Sequence, residues 1–557
     1  MNFWVPVEGR GDSIPVSALA PDGVMPMGTT AYEHRRIATR VPVWDAEKCV
    51  ECTECSLVCP HAAIRPFVLS PEEAASAPSG FVTKPAYGMP DGYRFRIQNF
   101  TDDCLGCSSC SIICPGHALT MTPIAEVSGS EAALAQWAFE NVTPKTGFLP
   151  RPTVKGSQMR KPGLQFSGAC AGCGETPYVK LLTQLFGERL IIANATGCSS
   201  IWGANFPSNA YCTVDGGGRG PAWGNSLFED NGEYGYGMLI AVDHQRRRVA
   251  QQAKALAEDA ATPPSVKEAL EAWLATKDDP EMSQQTGRSL SAILAGVKDQ
   301  SAACAALLRE ADQFARKSVW AIGGDGWAYD IGFAGLDHVL ASGEPIKVLV
   351  MDTECYSNTG GQMSKATPRS AVAKYAPDGK SVAKKELGRM MMTYGNVYVA
   401  SIALGANYQQ AIDAIMEAER YPGPAIVIAY CPCLMHGIQP GLGHSIVEQR
   451  RAVESGYWPL YRFNPEQYAR GESGLTIDSP TAGPDNSGTN GSSPLTSSPR
   501  FTNPEPVRTV TEFTADEDRY ADLNLADPTQ AAILRPDLQQ DCNRTLITLH
   551  LQSQSPK

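Results

Sequence analysis

Two stretches of this chain set four cysteines and a proline at one fixed spacing. "CVECTECSLVCP" supplies Cys49, Cys52, Cys55, Cys59 and Pro60; "CLGCSSCSIICP" supplies Cys104, Cys107, Cys110, Cys114 and Pro115. Thiolates spaced C-x2-C-x2-C-x3-C suit a 4Fe–4S cubane. Three on one tight loop reach three irons, and the fourth opens a helix aimed at a second cubane. On that geometry Cys49, Cys52, Cys55 and Cys114 bind one cluster, and Cys104, Cys107, Cys110 and Cys59 bind the other. Structural zinc is the plainer alternative. Zinc is usually gripped by two separated C-x2-C knuckles, not by three cysteines on one loop with a proline after the fourth. Two neighbouring clusters imply an electron wire.

A third set is dispersed. "SGACAGCGETPYV" gives Cys170 and Cys173 as a lone C-x2-C. Two cysteines hold no cubane, so partners must come from Cys198, Cys212, Cys304, Cys355, Cys431, Cys433 or Cys542. Cys198 follows a strand expected at 189–195, and Cys431 and Cys433 follow another in "AYCPCLMHGI". The ends of parallel strands converge at a ligand crevice, which makes these positions sensible. Spacing leaves zinc and iron–sulfur equally open for this set. Cys212, Cys304 and Cys542 read as plain small residues, since free cysteine is often just buried.

"GGDGWAYD" is the remaining chemical stretch. The strand "SVWAIGG" and a helix from about 328 put Asp325 at a strand's carboxyl end, with a helix N-terminus behind it. Backbone N–H groups there suit a diphosphate, and a carboxylate beside phosphates calls for Mg²⁺ between them. A dinucleotide fingerprint would need glycine at 329, where the chain has Tyr329. "GGQMSK" lacks the Gly-Lys pair of a P-loop. The next strand, "IKVLVMDTECYSNTGG", ends in clustered oxygen donors at Asp352, Thr353, Ser357 and Asn358. That resembles the thiamine diphosphate motif, in which GDG is followed one strand later by a metal-binding Asn; Thr353 stands in that Asn's place.

These groups need a scaffold. The pattern strand 318–324, helix 328–342, strand 346–352, strand 397–404, helix 408–420, strand 424–430 is that of a mostly parallel sheet covered by helices. A long helical stretch is expected over 246–317, broken near "TPPS" and "DDPEMSQQ". The fold class is therefore α/β: a two-cluster ferredoxin-like α+β domain, then a thiamine diphosphate-binding domain, then an irregular tail. The divisions expected are a lead segment 1–40, the cluster domain 41–125, a crossover linker 126–165, the diphosphate domain 166–456 and a tail 457–557. Within the tail, 479–506 is almost all turn formers and reads as disordered linker. A short helix is expected near 526–540. The net charge of −12 argues against nucleic-acid or anionic-membrane partners. No segment is apolar for long enough to span a bilayer, and the N-terminus lacks a signal-peptide pattern. Seventeen cysteines without that pattern point to a cytoplasmic metal protein.

Taken together, these stretches resemble pyruvate:ferredoxin (flavodoxin) oxidoreductase. The match is carried by "GTTAYEHRRIATRVPVW", "CPHAAIRP", "FSGACAGCGETPYVKLLTQLFGERLIIANATGCSSIWGANFPS", "GPAWGNSLFEDNGEYGYGM", "GDGWAYDIGFAGLDHVLASG", "DTECYSNTGGQMSKATPR" and "CPCLMHGI", in family order from about 26 to 460. The resemblance implies a third 4Fe–4S cluster on Cys170, Cys173, Cys198 and Cys433, with Cys431 where the family has a non-ligand. It implies Mg²⁺ held by Asp325, Thr353 and the Cys355 carbonyl. Thiamine diphosphate would be lined by Glu175, by Gly324, Asp325, Gly326 and Trp327, and by Thr353, Glu354, Cys355, Tyr356, Ser357 and Asn358. Glu175 and Asn358 would be catalytic, with Asn358 near the reacting carbon. The reaction implied is oxidation of pyruvate with coenzyme A to acetyl-CoA and CO₂, with single electrons leaving through three clusters to ferredoxin or flavodoxin.

Members of that family are usually about twice as long, or split into subunits. The upstream domain that grips the thiamine aminopyrimidine has no counterpart in this sequence. N-terminal domains or a partner chain are therefore expected to complete the site, in a homodimer of the complete enzyme. The alternative is an electron-relay iron–sulfur module without catalysis of its own.

Overall fold

The computed structural model describes residues 9–21, 23–127, 129–205, 207–214, 218–479 and 508–554. The stretch 479–506 read as linker lies, apart from Ser479, outside the described residues. The cysteine runs sit among short strands. A ribbon pairs β1 (Arg40–Trp44) with β5 (Leu119–Pro123), antiparallel. Beside it β2 (Ile64–Leu69), β4 (Arg94–Asn99) and β3 (Lys84–Pro85) form a second antiparallel sheet in the order β2–β4–β3. Two short helices, α1 (Glu54–Val58) and α2 (Ser109–Ile112), contain the third cysteine of each run, so the fourth, Cys59 or Cys114, follows a helix and does not open one as expected.

The larger body is an eight-stranded sheet. Its strands are β6 (Leu190–Ala195), β7 (Ala222–Ser226), β8 (Ser318–Gly324), β9 (Lys347–Asp352), β10 (Tyr398–Ile402), β11 (Ala425–Tyr430), β12 (Tyr461–Phe463) and β13 (Leu475–Ile477). The order is β13–β12–β10–β11–β9–β8–β6–β7; the six strands from β10 to β7 are parallel, and β12 and β13 add on antiparallel. Helices cover both faces, so the central strands are continuous apolar runs. Their residues still alternate between two cores: Val319, Ala321, Val348 and Val350 face one, and Trp320, Ile322, Leu349 and Met351 the other. Each fully buried side chain of this size contributes roughly 1.5–3 kcal/mol.

α3 (Thr176–Phe186) packs on the second face, joined by the later helix 408–420. The long helical stretch is four helices: α4 (Asn231–Glu258), α5 (Pro264–Thr276), α6 (Met282–Val297) and α7 (Ala302–Arg309). It begins earlier than the expected 246, and the last three helices close a separate core around Trp273 and Phe314 with the second half of α4.

Two expectations are corrected. The helix after the GDG turn does not start at 328. Gly326–Asp330 forms a wide π-turn, and α8 (Phe333–Ala341) begins only after it. The indole of Trp327 causes this: it tucks back onto Gly323 and Gly332, where any Cβ would collide with it. Among the described residues beyond 456 there is also more regular structure than the pattern suggests. β12 and β13 are three residues each, too short to show an alternation. The short helix expected near 526–540 is the 27-residue α11 (Pro528–Gln554), preceded by α9 (Val510–Thr514) and α10 (Asp518–Ala526). Phe513, Tyr520 and Leu538 of these helices are buried in the first core. No helix among the described residues is long and apolar enough to cross a membrane.

Candidate active site and cluster sites

The two cysteine loops share one backbone shape. Glu51 and Thr53 take left-handed φ of 57° and 63°, and the equivalent Gly106 and Ser108 take 69° and 70°. Such turns aim successive N–H groups into one concavity, the arrangement that cradles anions and iron–sulfur clusters. A non-glycine residue held there costs about 1–2 kcal/mol, so something must hold it. Glu51 is buried and accepts from the Tyr87 N–H at 3.0 Å and Lys155 Nζ at 3.2 Å. Cys59, Cys104, Cys107 and Cys110 line one small cavity. Burial, then Cys52, Cys49 and Cys114, push the Cys55 thiol up; burial, then Cys107, Cys104 and Cys59, do so for Cys110. The fourth cysteine of each run therefore faces the other run's three. Among the described residues no three His, Cys, Asp or Glu side chains converge tightly enough for a single ion. The irons of a cubane sit at separate corners and keep their thiolates further apart than a single zinc would.

This arrangement makes a specific prediction. Cys114→Ala should lose one cluster's worth of iron, and adding Cys49→Ala should lose no more. Adding Cys104→Ala to Cys114→Ala should lose both clusters. Iron and sulfide analysis of the anaerobically purified variants checks this; equal losses in both double variants would reject the crossed pattern.

The dispersed set lies at the carboxyl edge of the large sheet. Cys198 follows β6, and Cys431 and Cys433 follow β11. Cys170, Cys173 and Cys198 are each raised by burial first and, among their smaller causes, by Cys433, and Cys170 also raises Cys198. Cys431 lies fully buried in the apolar core, its S–H donating to the Ala429 carbonyl at 3.4 Å. Cys212 donates to Pro162 O, Cys304 sits in the separate helical core, and Cys542 lies on α11.

At the end of β8, Asp325 Oδ1 accepts from Thr353 Oγ1 at 2.9 Å, and that hydroxyl is 3.0 Å from the Cys355 carbonyl oxygen. Asp325 Oδ2 is buried with no hydrogen-bond partner. Burial, then the neighbouring Asp352, push this carboxyl well above the usual range. Three oxygens, one an orphaned carboxylate atom, suit a hard cation. Beside Gly324 the nearest atom to an added Cβ is 4.0 Å away, which leaves room for a ligand over the turn. Tyr356 packs its ring against Gly326.

Ser357 Oγ lies 3.4 Å from Cys198 Sγ, and Asn358 Oδ1 is 3.9 Å from it. Glu175 is buried and accepts from Trp202 Nε1 at 2.9 Å; burial raises its carboxyl to about 7. Two of the expected lining residues turn their side chains elsewhere. Trp327 fills the core below the turn and offers the site its backbone. Glu354, at φ 57°, points into a buried ion network: Lys384 Nζ at 2.9 Å, Tyr457 OH at 2.7 Å and Arg519 Nη2 at 2.8 Å.

Residues 41–64 match the 4Fe–4S binding domain, and 286–429 the thiamine pyrophosphate enzyme C-terminal TPP binding domain. Residues 245–301 match the pyruvate-ferredoxin oxidoreductase insertion domain, and 5–38 a domain of unknown function. Pyruvate:ferredoxin oxidoreductase of Moorella thermoacetica is 53% identical over 484 residues, 85% of this chain and 41% of that protein. Over most of its length this chain is homologous to pyruvate:ferredoxin and pyruvate-flavodoxin oxidoreductases. Pyruvate-flavodoxin oxidoreductase of Klebsiella pneumoniae is 46% identical over 95% of this chain and 43% of its own length. The mitochondrial pyruvate dehydrogenase (NADP(+)) of Euglena gracilis is 47% identical over 84% of this chain and 26% of its own. The chain spans about two-fifths of the length of the first of these oxidoreductases. The family's insertion domain coincides with most of α4 to α6.

Several residues around the site escape sequence reasoning. His436 Nε2 lies 2.8 Å from the Thr353 carbonyl, and its Nδ1 is 3.4 Å from Glu517 of the tail. Lys384 bridges Asp352 and Glu354 at 2.8 and 2.9 Å. His61 reaches from the Cys59 run to the Cys170 carbonyl at 3.2 Å. The only local signal was the position of His436, three residues after Cys433 in "CPCLMHGI".

Proposed function

We propose that this chain is the electron-transferring, diphosphate-binding part of a pyruvate oxidoreductase. The reaction is oxidative decarboxylation of pyruvate with coenzyme A to acetyl-CoA and CO₂, with electrons passed singly to ferredoxin or flavodoxin. The observation that carries this reading is the 3.4 Å contact between Cys198 and Ser357, which joins a cysteine cluster to the loop after the GDG turn. A relay module with no chemistry of its own has no reason to put them together. Thiamine diphosphate supplies, when bound, a nucleophilic carbon and the electron sink that decarboxylation of a 2-oxo acid needs. Asp325, Thr353 and the Cys355 carbonyl would hold Mg²⁺, and the backbone of 324–327 the diphosphate. Glu175 and Asn358 would border the reacting end.

The cysteines give the electron route. Cys170, Cys173, Cys198 and Cys433 would hold the cluster beside the cofactor. His61 links Cys170 to the run containing Cys59, which supports the Cys59, Cys104, Cys107 and Cys110 cluster as the next station. The Cys49, Cys52, Cys55 and Cys114 cluster would then hand electrons outward. The Euglena relative's name carries NADP(+) where the others carry ferredoxin or flavodoxin. Ferredoxin or flavodoxin as acceptor is our reading here. None of the seventeen cysteines pairs in a disulfide, which suits a reducing cytoplasm.

The 557 residues alone are expected to hold clusters but not to oxidise pyruvate. The pyrimidine wall of the site would come from the rest of the relatives' length, in the same or a partner chain, as part of a homodimer. Anaerobic CoA-dependent pyruvate oxidation with a viologen dye tests this. Turnover should appear only when the remaining domains are supplied; brisk turnover by the 557 residues alone would reject the half-site reading. Thiamine diphosphate content of the native complex separates it from a plain relay module, which would carry none.

A further inference from the structure

α3 carries a fully buried lysine that the proposed chemistry does not use. Lys180 Nζ donates to the backbone carbonyls of Leu57 at 3.0 Å and Cys59 at 2.9 Å, and also to that of Ser56. All three acceptors belong to the cluster domain, while Lys180 belongs to the large α/β domain. An ammonium has three N–H donors and no acceptor. Three converging carbonyls therefore match the charged form; a neutral amine would press a lone pair against an oxygen.

A buried charge without a counter-charge is costly, because it gives up its hydration with nothing opposite to replace it. Among the described residues no carboxylate figures among the groups acting on Lys180: burial foremost, and then Arg65, oppose its charge, while Cys59 and Cys55 favour it. Arg65 differs. Its guanidinium bonds Ala62 O and Gln165 and lies 4.8 and 5.0 Å over the rings of Phe100 and Phe166. Lys180 has carbonyl dipoles and cysteines alone. Cys55 and Cys59 belong to different clusters of the crossed pair, so Lys180 sits beside both.

We propose that Lys180 is a buried counter-charge of the two ferredoxin-type clusters, beside Cys59 together with Arg65 and beside Cys55, and raises their reduction potential relative to the cluster beside the cofactor. The inference rests on the reading of those cysteines as 4Fe–4S ligands. Four thiolates leave a cubane net negative, and adding an electron makes it more so. A fixed cation held out of water favours the reduced form, and net charge and burial are among the factors that set cluster potentials. The effect would draw electrons from the cofactor side into the pair. Lys180 acts through the field it creates and touches neither substrate nor cofactor.

The test is a redox titration, followed by electron paramagnetic resonance, of anaerobically isolated, iron-loaded protein carrying Lys180→Met, Lys180→Gln or Lys180→Arg. Both neutral variants should reduce the ferredoxin-type clusters at more negative potential, with a smaller shift for the third. Lys180→Arg should keep them near wild type. Full iron content with unmoved potentials in the neutral variants would overturn the proposal, as would an Arg variant shifted as far as the Met variant. If the neutral variants shed iron, retention by Lys180→Arg supports it and equal loss by all three overturns it. A wild-type protein without ferredoxin-type signals would overturn the cluster reading, and this inference with it.

Discussion

Asp325→Asn is expected to stabilise the cation-free protein and to abolish its response to Mg²⁺ and thiamine diphosphate. The two effects have opposite signs and one cause. Asp325 Oδ2 is buried without a partner, and Asp352 adds a like charge nearby. An unsatisfied buried group of this kind costs about 1–3 kcal/mol, more when charged. Removing the charge relieves that cost. The pH dependence follows from the direction of the shift. A carboxyl raised in the folded state holds its proton to higher pH there than in the unfolded chain. Its penalty is absent in acid, below the unfolded value, and grows as pH rises through the folded one. The Asn variant does not titrate, so its advantage should widen from acid to neutral pH.

With Mg²⁺ and cofactor present the order reverses. Wild type gains stability with ligand concentration, because only the folded state binds. The variant lacks the one anionic oxygen pair of the site. Loss of an outer partner alone costs up to about 100-fold in metal affinity, and losing a direct ligand should cost at least as much. Thermal midpoints at several pH values, with and without Mg²⁺ and thiamine diphosphate, read both halves. An Asn variant that still gains as much from the ligands as wild type would remove Asp325 from the metal site.

What was legible in the sequence depended on chain distance. The cysteine runs were readable because their ligands lie within a few residues of one another, and covalent spacing fixes what they can reach. β8, β9 and β11 were readable because burial on both faces leaves runs such as "IKVLVMD". β12 and β13 were not, since three residues carry no period. Thr353 and Asp325 could be paired because both end neighbouring parallel strands, and strand ends share one edge. Glu354 shows where this stops. It adjoins Thr353 and was expected to line the cofactor, yet its left-handed backbone sends the carboxylate away to Lys384 and Arg519. Arg519 is 165 residues distant along the chain, and no local pattern marks it. The same holds for Lys180, whose acceptors lie more than a hundred residues upstream.

Arg519→Met should lower the thermal midpoint by roughly 10 °C, the equivalent of about 3–5 kcal/mol for breaking one side of a buried pair. The guanidinium donates to Glu354 at 2.8 Å and Glu517 at 2.7 Å, and all three side chains are buried. Burial raises the Glu354 carboxyl, but Lys384 and Arg519 outweigh it and hold it at about 2. Without Arg519, Glu354 keeps Lys384, whereas Glu517 keeps only the 3.4 Å approach of His436. The consequence reaches the metal site through two short routes. Glu354 is bonded to Thr353 by the chain itself, and His436 spans from Glu517 to the Thr353 carbonyl. A loosened tail should therefore weaken Mg²⁺-dependent cofactor binding as well as stability. The double variant Arg519→Met/Glu354→Gln separates the pair from mere loss of packing: a coupling of about 1–3 kcal/mol is expected, because neutralising Glu354 removes one of the charges left stranded. Additive losses would mean that Arg519 matters for its volume alone. Weakened cofactor binding without any fall in midpoint would place its action on the Thr353 loop and not on the docking of the tail.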